Sequence, residues 1–371
     1  MLDTLSAYCK SWKLTVNVAK TKVVIFHKRK YSDTFMLDGS NVEVVDSYKY
    51  LGVEFNRTGN FAKNKNEALK RAQKALFSLL QTSRTKNLPV NVVLDLYQKM
   101  VMPVLLYGCE VWGHESVTNL EKFHLKSLKH IMHLSRSTMS AQVFGESGFF
   151  PLSIHIKLRM IRFWTDLLEP TSPKLSSRIY RICHDLHKGP FYESKWMSFI
   201  EQILTESGLE CIWKTQTFTS KASVYSHVRD YLKQTYITSW QNDLNNSSKC
   251  LLYKNYKKTI QTEPFLKYLP EKFAIALLKF RCNNHKLPIE VERKQGVPRD
   301  RRICKKCDMN VIGDEFHLIF ECPVYNAERQ KYIPSEFRRV KSTFNLCNLF
   351  KSSSKKISLK LAKFLVATKS V

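Results

Sequence analysis

Three cysteines and one histidine near residue 310 have the types and the spacing of a metal-binding set. Two residues separate Cys304 from Cys307, nine more precede His317, and four more precede Cys322. Three thiolates and one imidazole can complete the tetrahedral shell of a zinc ion, and the two-residue gap lets both sulfurs of the first pair face one ion from a tight turn. Because all four ligands would come from the protein, such a zinc is closed to substrate and stabilises a fold.

The residues around these ligands have the composition that such a site needs. Residues 308–313 are polar and end in a glycine, which is typical of a loop between two ligand pairs. Residues 315–321 predict a helical turn that carries His317 inward, and Pro323 ends the unit. Two alternatives stay open because spacing alone does not decide: free buried thiols beside an unrelated histidine, or disulfides.

The N-terminus and the longest apolar run bear on whether the chain is secreted or inserted in a membrane. The first residues show no apolar core followed by small cleavage-site residues, so we expect no secretory signal. The longest apolar candidate, residues 101–112, is interrupted by Pro103, Gly108 and Glu110, and it falls short of the roughly 18 apolar residues that span a bilayer. We therefore expect no membrane partner and a reducing compartment, in which cysteines bind metal or stay free.

The charge of the chain favours a polyanionic partner. The 371 residues include 60 lysines and arginines against 32 acids, a net charge of +28 that is spread along the sequence. Nucleic acid is the leading partner for such a chain, and the alternative is a basic surface that serves only solubility. The 43% of hydrophobic residues can fill two or three cores, which excludes a disordered chain.

A helix followed by short strands is predicted near the N-terminus. Residues 2–12 carry apolar side chains at helical spacing and predict a short amphipathic helix. A hairpin is predicted around Asp38-Gly39, between two β-prone runs. Residues 48–55 predict one further strand, because their aromatic and β-branched side chains fit a pleated surface.

Most of the remaining chain predicts helices. Residues 61–81 form a strongly amphipathic helix with one apolar face and one basic face. The lysines of the basic face are Lys63, Lys70 and Lys74. We interpret these lysines as having no acidic neighbours that would neutralise their charge. We therefore expect this face to contact phosphates and not only water. Further helices are predicted at residues 89–112, bent by Pro103, at 120–134 and at 154–168.

The segment before the first metal ligands is strongly basic. Residues 249–306 contain sixteen lysines and arginines against five acids, interleaved with aromatic side chains. Such a segment could follow a nucleic-acid backbone. The residues of this segment that we expect to contact phosphates are Lys279, Arg281, Arg293, Lys294, Arg299, Arg301 and Arg302.

Several motifs together resemble one protein family. They are LxxYCxxWxLxVNxxKTK at residues 5–22, YKYLGVEF at 48–55, MPVLLYGCEVWG at 102–113, FGESGFFP at 144–151, KFRCNNHKLPIEVERKQGVPRDRRICKKC at 279–307 and DEFHLIFECPVY at 314–325. This series resembles the distal palm, the thumb and the C-terminal segment of non-LTR (LINE-type) retrotransposon reverse transcriptases. The resemblance covers most of the chain, although residues 170–265 carry few of the motifs.

The resemblance implies roles for the N-terminal residues. Asn17, Lys20 and Lys22 would belong to the palm segment that follows the catalytic aspartates, and Lys20 best matches an accessory lysine that helps to protonate the leaving pyrophosphate. Tyr48 to Gly52 would form the hairpin that grips the primer end, and the helix at 61–81 would be the thumb helix. Taken without the family, Lys20 and Lys22 are surface lysines at the edge of a turn.

One departure from the family pattern limits the activity that we expect. The palm of such a polymerase needs a paired-aspartate motif and an earlier aspartate to hold two magnesium ions. This chain contains no Asp-Asp dipeptide. We therefore expect no Mg²⁺ site in this chain, no polymerisation by the chain alone, and the fingers and catalytic palm ahead of Met1.

Together these features predict a mainly α-helical chain with a small β element near the N-terminus, a helical thumb and linker region, and a C-terminal Cys3His zinc module. The predicted parts are residues 1–60, a palm remnant with a primer-grip-like hairpin; 61–169, a helical thumb-like domain; 170–265, a helical connector; 266–335, the zinc-binding module; and 336–371, a C-terminal helical tail. The predicted nucleic-acid contacts are Lys20, Lys22, Tyr48, Tyr50, Gly52, Lys63, Lys70, Lys74, Lys279, Arg281, Arg293, Lys294, Arg299, Arg301 and Arg302.

Three hypotheses about function follow. The first is a nucleic-acid-binding part of a retrotransposon reverse transcriptase, with template-primer duplex or element RNA as partner and a possible association with an intact enzyme. The second is a zinc-stabilised helical adaptor whose basic surface is incidental. The third is part of a longer active polymerase. The basic runs at 28–30 and 299–306 could serve as nuclear patches or as solvated turns, so both nuclear and cytoplasmic locations stay open.

Overall fold

The computed structural model describes residues 1–27, 34–169 and 174–371. Helix accounts for 63% of the structure and strand for 6%, which confirms the mainly α fold class. The basic run Lys28, Arg29 and Lys30 lies outside the described residues, as do four residues, 170–173, of a proline- and serine-rich stretch.

The described residues of the N-terminal region form one α-helix and two small sheets. Its elements are α1 (Leu2–Ser11), β1 (Lys22–Val23), β2 (Phe35–Leu37), β3 (Ser40–Val44), β4 (Ser47–Tyr50) and β5 (Val53–Asn56). The first sheet has the order β1-β3-β2, with β1 parallel and β2 antiparallel to β3. The predicted hairpin at Asp38-Gly39 is confirmed, because both residues have positive φ (48° and 76°), as a tight hairpin turn requires.

The second sheet corrects the prediction of a single strand over residues 48–55. Strands β4 and β5 are antiparallel and pair Tyr48 with Phe55 and Tyr50 with Val53. Leu51 and Gly52 connect them, with φ of 46° and 84°. Two successive residues with positive φ reverse the chain, so this motif is a hairpin.

The middle of the chain is helical. Its helices are α2 (Ala62–Thr85), α3 (Val90–Leu96), α4 (Met102–Leu105), α5 (Cys109–Trp112), α6 (Thr118–Ile131), α7 (Ser140–Ser147) and α8 (Leu152–Leu167). The continuous helix predicted at residues 89–112 is interrupted by a π-turn at Tyr97–Val101 and again at Gly108, which has a φ of 69°. Pro103 follows the π-turn, and its missing N–H explains why the regular ladder of hydrogen bonds breaks there.

The second half of the chain is also helical. Its helices are α9 (Leu175–His187), α10 (Lys195–Glu206), α11 (Glu210–Thr215), α12 (Lys221–Asn245), α13 (Tyr253–Tyr256), α14 (Phe265–Tyr268), α15 (Glu271–Arg281), α16 (Pro288–Val291), α17 (Asn326–Tyr332), α18 (Ser335–Arg338), α19 (Thr343–Lys351) and α20 (Lys355–Ala367). None of the helices in the described ranges is long and apolar enough to cross a membrane.

One continuous hydrophobic core connects these helices. It extends from Val53 to Leu365 and includes Trp112, Trp164 and Trp240, which are all buried. Helix α20 packs against α15 through its buried side chains, among them Phe364. The predicted parts of the chain beyond residue 60 therefore share one core, and the five-part division stays a prediction.

A buried cluster of charges ties distant segments together within this core. The Arg281 guanidinium donates two hydrogen bonds to the Glu146 carboxylate, at 2.9 and 2.8 Å, and a third to the Phe350 carbonyl at 2.7 Å. Glu263 lies 3.2 Å from the same guanidinium and forms an ion pair with Lys257. The cluster joins α7, α15 and α19 with the segment before α14.

Candidate metal centre and nucleic-acid interface

The structure brings the four predicted metal ligands to one point. One ligand atom from each of Cys304, Cys307, His317 and Cys322 lies within 4.8 Å of all the others. The Cys307 Sγ and the His317 Nε2 are 3.3 Å apart. Thiolates about 2.3 Å from one zinc lie roughly 3.8 Å apart at tetrahedral angles, so these side chains fit a zinc shell. All ten cysteines are free of disulfides.

A tight backbone loop presents the first two ligands. Ile303 and Ile312 form an antiparallel bridge, and the Cys304 N–H donates to the Val311 carbonyl at 2.8 Å. Gly313 closes the loop, and a Cβ on it would lie 3.0 Å from the Cys304 Cα and 2.8 Å from the Pro288 ring. The glycine that ends the predicted loop is therefore required by a close approach of backbone to backbone.

A π-turn presents the other two ligands, where the sequence predicts an ordinary helical turn. The turn occupies His317–Glu321, and the Cys322 N–H donates to the His317 carbonyl at 2.8 Å. On an α-helix, side chains five residues apart would lie about 140° apart around the axis. The wider turn closes after five residues, which brings His317 and Cys322 to the same ion.

The environment of the ligands suits a metal-bound state. The His317 Nδ1 lies 3.4 Å from a Glu321 carboxylate oxygen, and Nε2 faces the sulfurs, which is the usual arrangement of a carboxylate behind a metal-binding imidazole. Burial raises the pKa of the Cys322 thiol to about 12. A zinc ion bound here would therefore displace a proton from Cys322 at neutral pH, and its affinity would fall as the pH falls.

Arg329 supports this centre, and nothing in the ligand spacing indicates it. Its buried guanidinium donates to the carbonyls of Ile319 at 2.8 Å, Leu318 at 3.3 Å and Cys322 at 2.7 Å. The Leu318 and Ile319 carbonyls belong to the end of the π-turn, where acceptors lack donors within the helix. The Cys322 carbonyl follows the turn and also accepts from the Tyr325 N–H at 3.2 Å. Arg329 therefore fixes the backbone that carries His317 and Cys322.

We expect Arg329→Met to weaken zinc binding by about 10- to 100-fold while leaving all four ligands in place. The side chain of methionine fills the site but satisfies none of the three carbonyls. Competition with a chromophoric chelator measures the affinity. Lys331→Met, an exposed residue of the same helix, is the control and should bind zinc as the unmodified chain does; equal affinities for the two variants would contradict the role of Arg329.

The primer-grip-like hairpin packs against a second motif of the resemblance. The Tyr107 hydroxyl donates to the Leu51 carbonyl at 2.8 Å. A Cβ on Gly52 would lie 2.8 Å from the Tyr107 ring, and one on Gly108 would lie 2.7 Å from the Val53 Cγ2. Two motifs more than fifty residues apart in the sequence thus form one close contact, which both glycines make possible.

We expect Gly108→Ala to destabilise the chain by roughly 1–3 kcal/mol, because it adds a clash with Val53 to the strain of a positive φ. Gly39→Ala is the matched control, since Gly39 also has a positive φ, 76°, but an added Cβ there would meet nothing within 4 Å. Urea denaturation measures both variants. Equal losses of unfolding free energy in the two variants would show that packing of the hairpin against Gly108 does not stabilise the chain.

Part of the chain is similar to curated reverse transcriptases of Drosophila melanogaster. It is 28% identical over 138 residues to the RNA-directed DNA polymerase from mobile element jockey, 26% over 128 residues to the probable enzyme from transposon BS, and 30% over 111 residues to the probable enzyme from transposon X-element. Part of this chain is therefore similar to reverse transcriptases of non-LTR retrotransposons. This similarity confirms the resemblance over about a third of the chain.

These similarities cover only part of this chain and a smaller part of each polymerase. They extend over 36%, 33% and 29% of this chain and over 15%, 14% and 12% of the three polymerases. No protein-family model matches the chain. No solved structure matches it. The similarity therefore does not by itself assign the activity of a whole non-LTR reverse transcriptase to this chain.

The predicted phosphate contact of Arg281 is wrong. Its side chain is only 2% exposed and is bound to Glu146 in the core. Burial works against the charged guanidinium, but the neighbouring Glu146 carboxylate outweighs it and raises the pKa of Arg281. Arg281 therefore stabilises the fold and is not available to a phosphate.

The other basic residues near the metal centre differ in how far their side chains are free to contact a phosphate. Arg293 pairs with Glu290, and Arg302 donates to the Val297 carbonyl at 2.8 Å, so both side chains are used locally. Lys279 is half-buried. The predicted contacts whose side chains are exposed in this region are Lys294, Arg299 and Arg301.

On the thumb-like helix α2, two predicted lysines have acidic neighbours. Lys63 pairs with Glu54, and Lys70 pairs with Glu67 at 2.8 Å. The interpretation that no acid balances this face is therefore wrong for these two, although Lys70 and Lys74 are both exposed. Phe77 lies on the same face and is 71% exposed, a feature that the apolar periodicity did not single out.

The palm-like residues lie at the N-terminal surface. Lys20 is exposed at the end of a 3-10 turn that the Asn17 side chain caps, while Lys22 pairs with Glu43. Tyr48 and Tyr50 are 39% and 59% exposed on β4. Their contacts with nucleic acid stay predictions.

Proposed function

We propose that this chain binds RNA or DNA as the thumb and zinc-binding part of a non-LTR reverse transcriptase, and that it does not polymerise nucleotides by itself. The observation that carries the proposal is the position of exposed arginines directly before the metal ligands. Arg299 and Arg301 are exposed, and Cys304 follows them in a loop that the metal would hold rigid. The curated relatives, which are named as RNA-directed DNA polymerases, support a nucleic-acid partner.

Arg302 holds the backbone of this basic run through its side chain and its carbonyl. Arg302 donates to the carbonyls of Val297 and Ile289, at 2.8 and 3.2 Å, which anchors the run to α16. The Gly313 N–H donates to the Arg302 carbonyl at 2.9 Å, which anchors it to the metal loop. Arginines on a fixed backbone lose less conformational freedom when they bind a phosphate, which supports a phosphate-binding role.

The salt dependence of binding tests the proposal. The affinity for labelled single-stranded RNA, structured RNA and template-primer duplex should fall steeply with salt, because each neutralised phosphate releases counterions. Arg299→Ala with Arg301→Ala should weaken binding and lower the slope by about one for each lost contact. Arg229→Ala is the control, since Arg229 is half-buried and pairs with the exposed Asp230 on α12. A flat salt response would contradict the proposal and favour the zinc-stabilised adaptor.

Helix α2 would supply a second contact. Lys70, Lys74 and Phe77 follow one another at spacings of four and three residues and are exposed, opposite the buried Ala72. An exposed aromatic ring beside two lysines can stack on a base or sugar while the ammonium groups face phosphates. This arrangement supports the approach of a nucleic-acid strand along α2.

We expect Phe77→Ala to weaken binding of single-stranded RNA or DNA by about 1–3 kcal/mol, because the stacking partner is lost. Fluorescence anisotropy at fixed salt measures the loss. Phe344→Ala is a matched control, because Phe344 on α19 is exposed to almost the same extent, 72% against 71%. The stacking role is refuted if both variants lose affinity equally or if neither does.

A second candidate is that the chain belongs to a longer active polymerase. Exposed apolar side chains of the N-terminal region favour it: Leu5, Tyr8, Trp12 and Leu14 are 40%, 57%, 66% and 58% exposed. Such a surface suits further polypeptide. The nucleotide sequence upstream of the Met1 codon tests this candidate: an in-frame Tyr-x-Asp-Asp segment would support it, and a region without one would exclude it.

A further inference from the structure

Helix α9 presents its apolar face to solvent. Leu175, Ile179, Ile182 and Leu186 are 67%, 49%, 62% and 55% exposed. The opposite face carries Ser177, Tyr180 and His184, which are buried. An amphipathic helix on a globular protein normally buries its apolar stripe, so α9 is inverted with respect to the core.

Specific contacts hold α9 in this orientation. The Tyr180 hydroxyl accepts from the Trp164 indole N–H at 2.8 Å and donates to the Gln216 side chain at 2.7 Å. The His184 ring packs edge-on against Trp213, with the ring centroids 5.3 Å apart. A rotation of α9 that buried the apolar stripe would break these contacts and expose Tyr180 and His184.

The spacing of the exposed stripe is that of a coiled-coil seam. Its four members are separated by four, three and four residues, which is the a and d pattern of a heptad. Phe191, a few residues beyond the helix, is 99% exposed. An exposed apolar stripe of this kind marks an interaction site, and its heptad spacing suits another helix.

The charges beside the stripe favour a second copy of this chain as the partner. Arg178 and Asp185 occupy the two positions that flank the same side of the seam, and both are exposed. In an antiparallel pair of α9 helices, Leu175 would face Leu186 of the second copy, and Arg178 would face Asp185 of the second copy, twice by symmetry. A partner with a uniformly acidic flank would leave Asp185 opposed by like charge.

We propose that two copies of this chain associate through an antiparallel α9 pair. The interface is self-complementary, as a two-fold axis requires. Four apolar residues and Phe191 from each copy place it near the low end of specific interfaces, so we expect a dissociation constant on the order of micromolar. The inference does not depend on nucleic-acid binding.

Sedimentation velocity without nucleic acid tests the apolar seam. The unmodified chain should shift from monomer to dimer between about 0.5 and 50 µM, around the micromolar dissociation constant expected for an interface of this size. Ile179→Glu with Ile182→Glu should weaken the dimer by more than about 100-fold, because two carboxylates would be buried in the seam. Both residues are exposed in the monomer, so the fold should survive, and circular dichroism checks this. Phe344→Glu is the control for an exposed apolar residue elsewhere, and it should dimerise normally.

A charge exchange tests the partner and its orientation. Arg178→Glu should weaken the dimer by on the order of fivefold, because it opposes two acids at each end of the seam. Adding Asp185→Arg to the same chain should restore the affinity, since the pair is then reversed but again opposite in sign. A chain that stays monomeric at 50 µM, a double variant that is no tighter than Arg178→Glu, or binding of α9 to phosphatidylcholine vesicles without dimerisation would each overturn the proposal.

Discussion

Cys304→Ser together with Cys307→Ser should abolish zinc binding and unfold the segment around the metal centre. Purified protein should contain about one zinc per chain, and the double variant none, because two of four ligands are lost. Structural zinc in small sites contributes about 10–16 kcal/mol of apparent binding free energy, so little holds the loop once the ion is gone. Elemental analysis and thermal unfolding measure the two effects.

The loss should extend beyond the ligands themselves. Leu318, Ile319 and Phe320 lie between His317 and Cys322 and are fully buried in the common core. Disorder in the π-turn would withdraw these side chains from the core, so the whole chain should unfold at lower temperature. Cys183→Ser with Cys211→Ser, two cysteines outside the cluster, is the control for the loss of two thiols. Zinc retained by the Cys304 and Cys307 variant would refute the site.

Arg281→Met should destabilise the fold by about 3–5 kcal/mol, because it leaves the Glu146 carboxylate charged, buried and without its partner. Glu146 is completely buried, and the Arg281 guanidinium supplies two of its hydrogen bonds. Methionine has a similar volume, so the loss reports the charge and not a cavity. Arg229→Met, at a surface pair in which Asp230 is exposed and Arg229 half-buried, should cost less than about 1 kcal/mol.

The contribution of Glu146 to the pH dependence of stability should change sign in this variant. Burial acts to raise the pKa of Glu146, but the charges of Arg281 and Lys257 and the hydrogen bonds outweigh it and hold the pKa below the usual value of 4.5. In the unmodified chain the pair therefore stabilises the fold above the ordinary pKa, and the stabilisation is lost as the pH falls through the lowered pKa.

In Arg281→Met, the guanidinium charge that lowers the pKa of Glu146 is absent, so burial should raise this pKa. A raised pKa favours the folded state at low pH, so the contribution of Glu146 to the stability of the variant should fall as the pH rises. Urea denaturation at several pH values measures the slope. Arg281→Met with Glu146→Gln should recover much of the lost stability, and no recovery would show that the loss comes from packing and not from the orphaned carboxylate.

Local patterns in the sequence predicted much of this protein. The hairpin at Asp38-Gly39 and the C-terminal helix depend on residues close together in the chain. The metal set was predicted for the same reason, since a gap of two residues and a gap of four residues confine ligands locally. The reverse-transcriptase resemblance was carried by motifs, each of them short and continuous.

Contacts between distant residues were not predictable in this way. Arg281 was predicted to face phosphates because it lies in a basic segment, yet its partner Glu146 is 135 residues away in the sequence. Arg329 likewise is bound to carbonyls of a π-turn that the sequence predicts as an ordinary helical turn. In both cases, burial decides whether an arginine serves the fold or the surface, and burial depends on the whole chain.

The sequence by itself determined the helical class, the candidate metal-ligand set and the family resemblance, because each follows from spacing or local composition. The tertiary structure alone decided which face of each helix is covered. The periodicity of α9 shows an apolar stripe but not its direction, and the contacts of Tyr180 and His184 turn that stripe outward. A hydrophobic pattern states that a surface should be buried; only the packed neighbours determine whether the same chain or another molecule buries it.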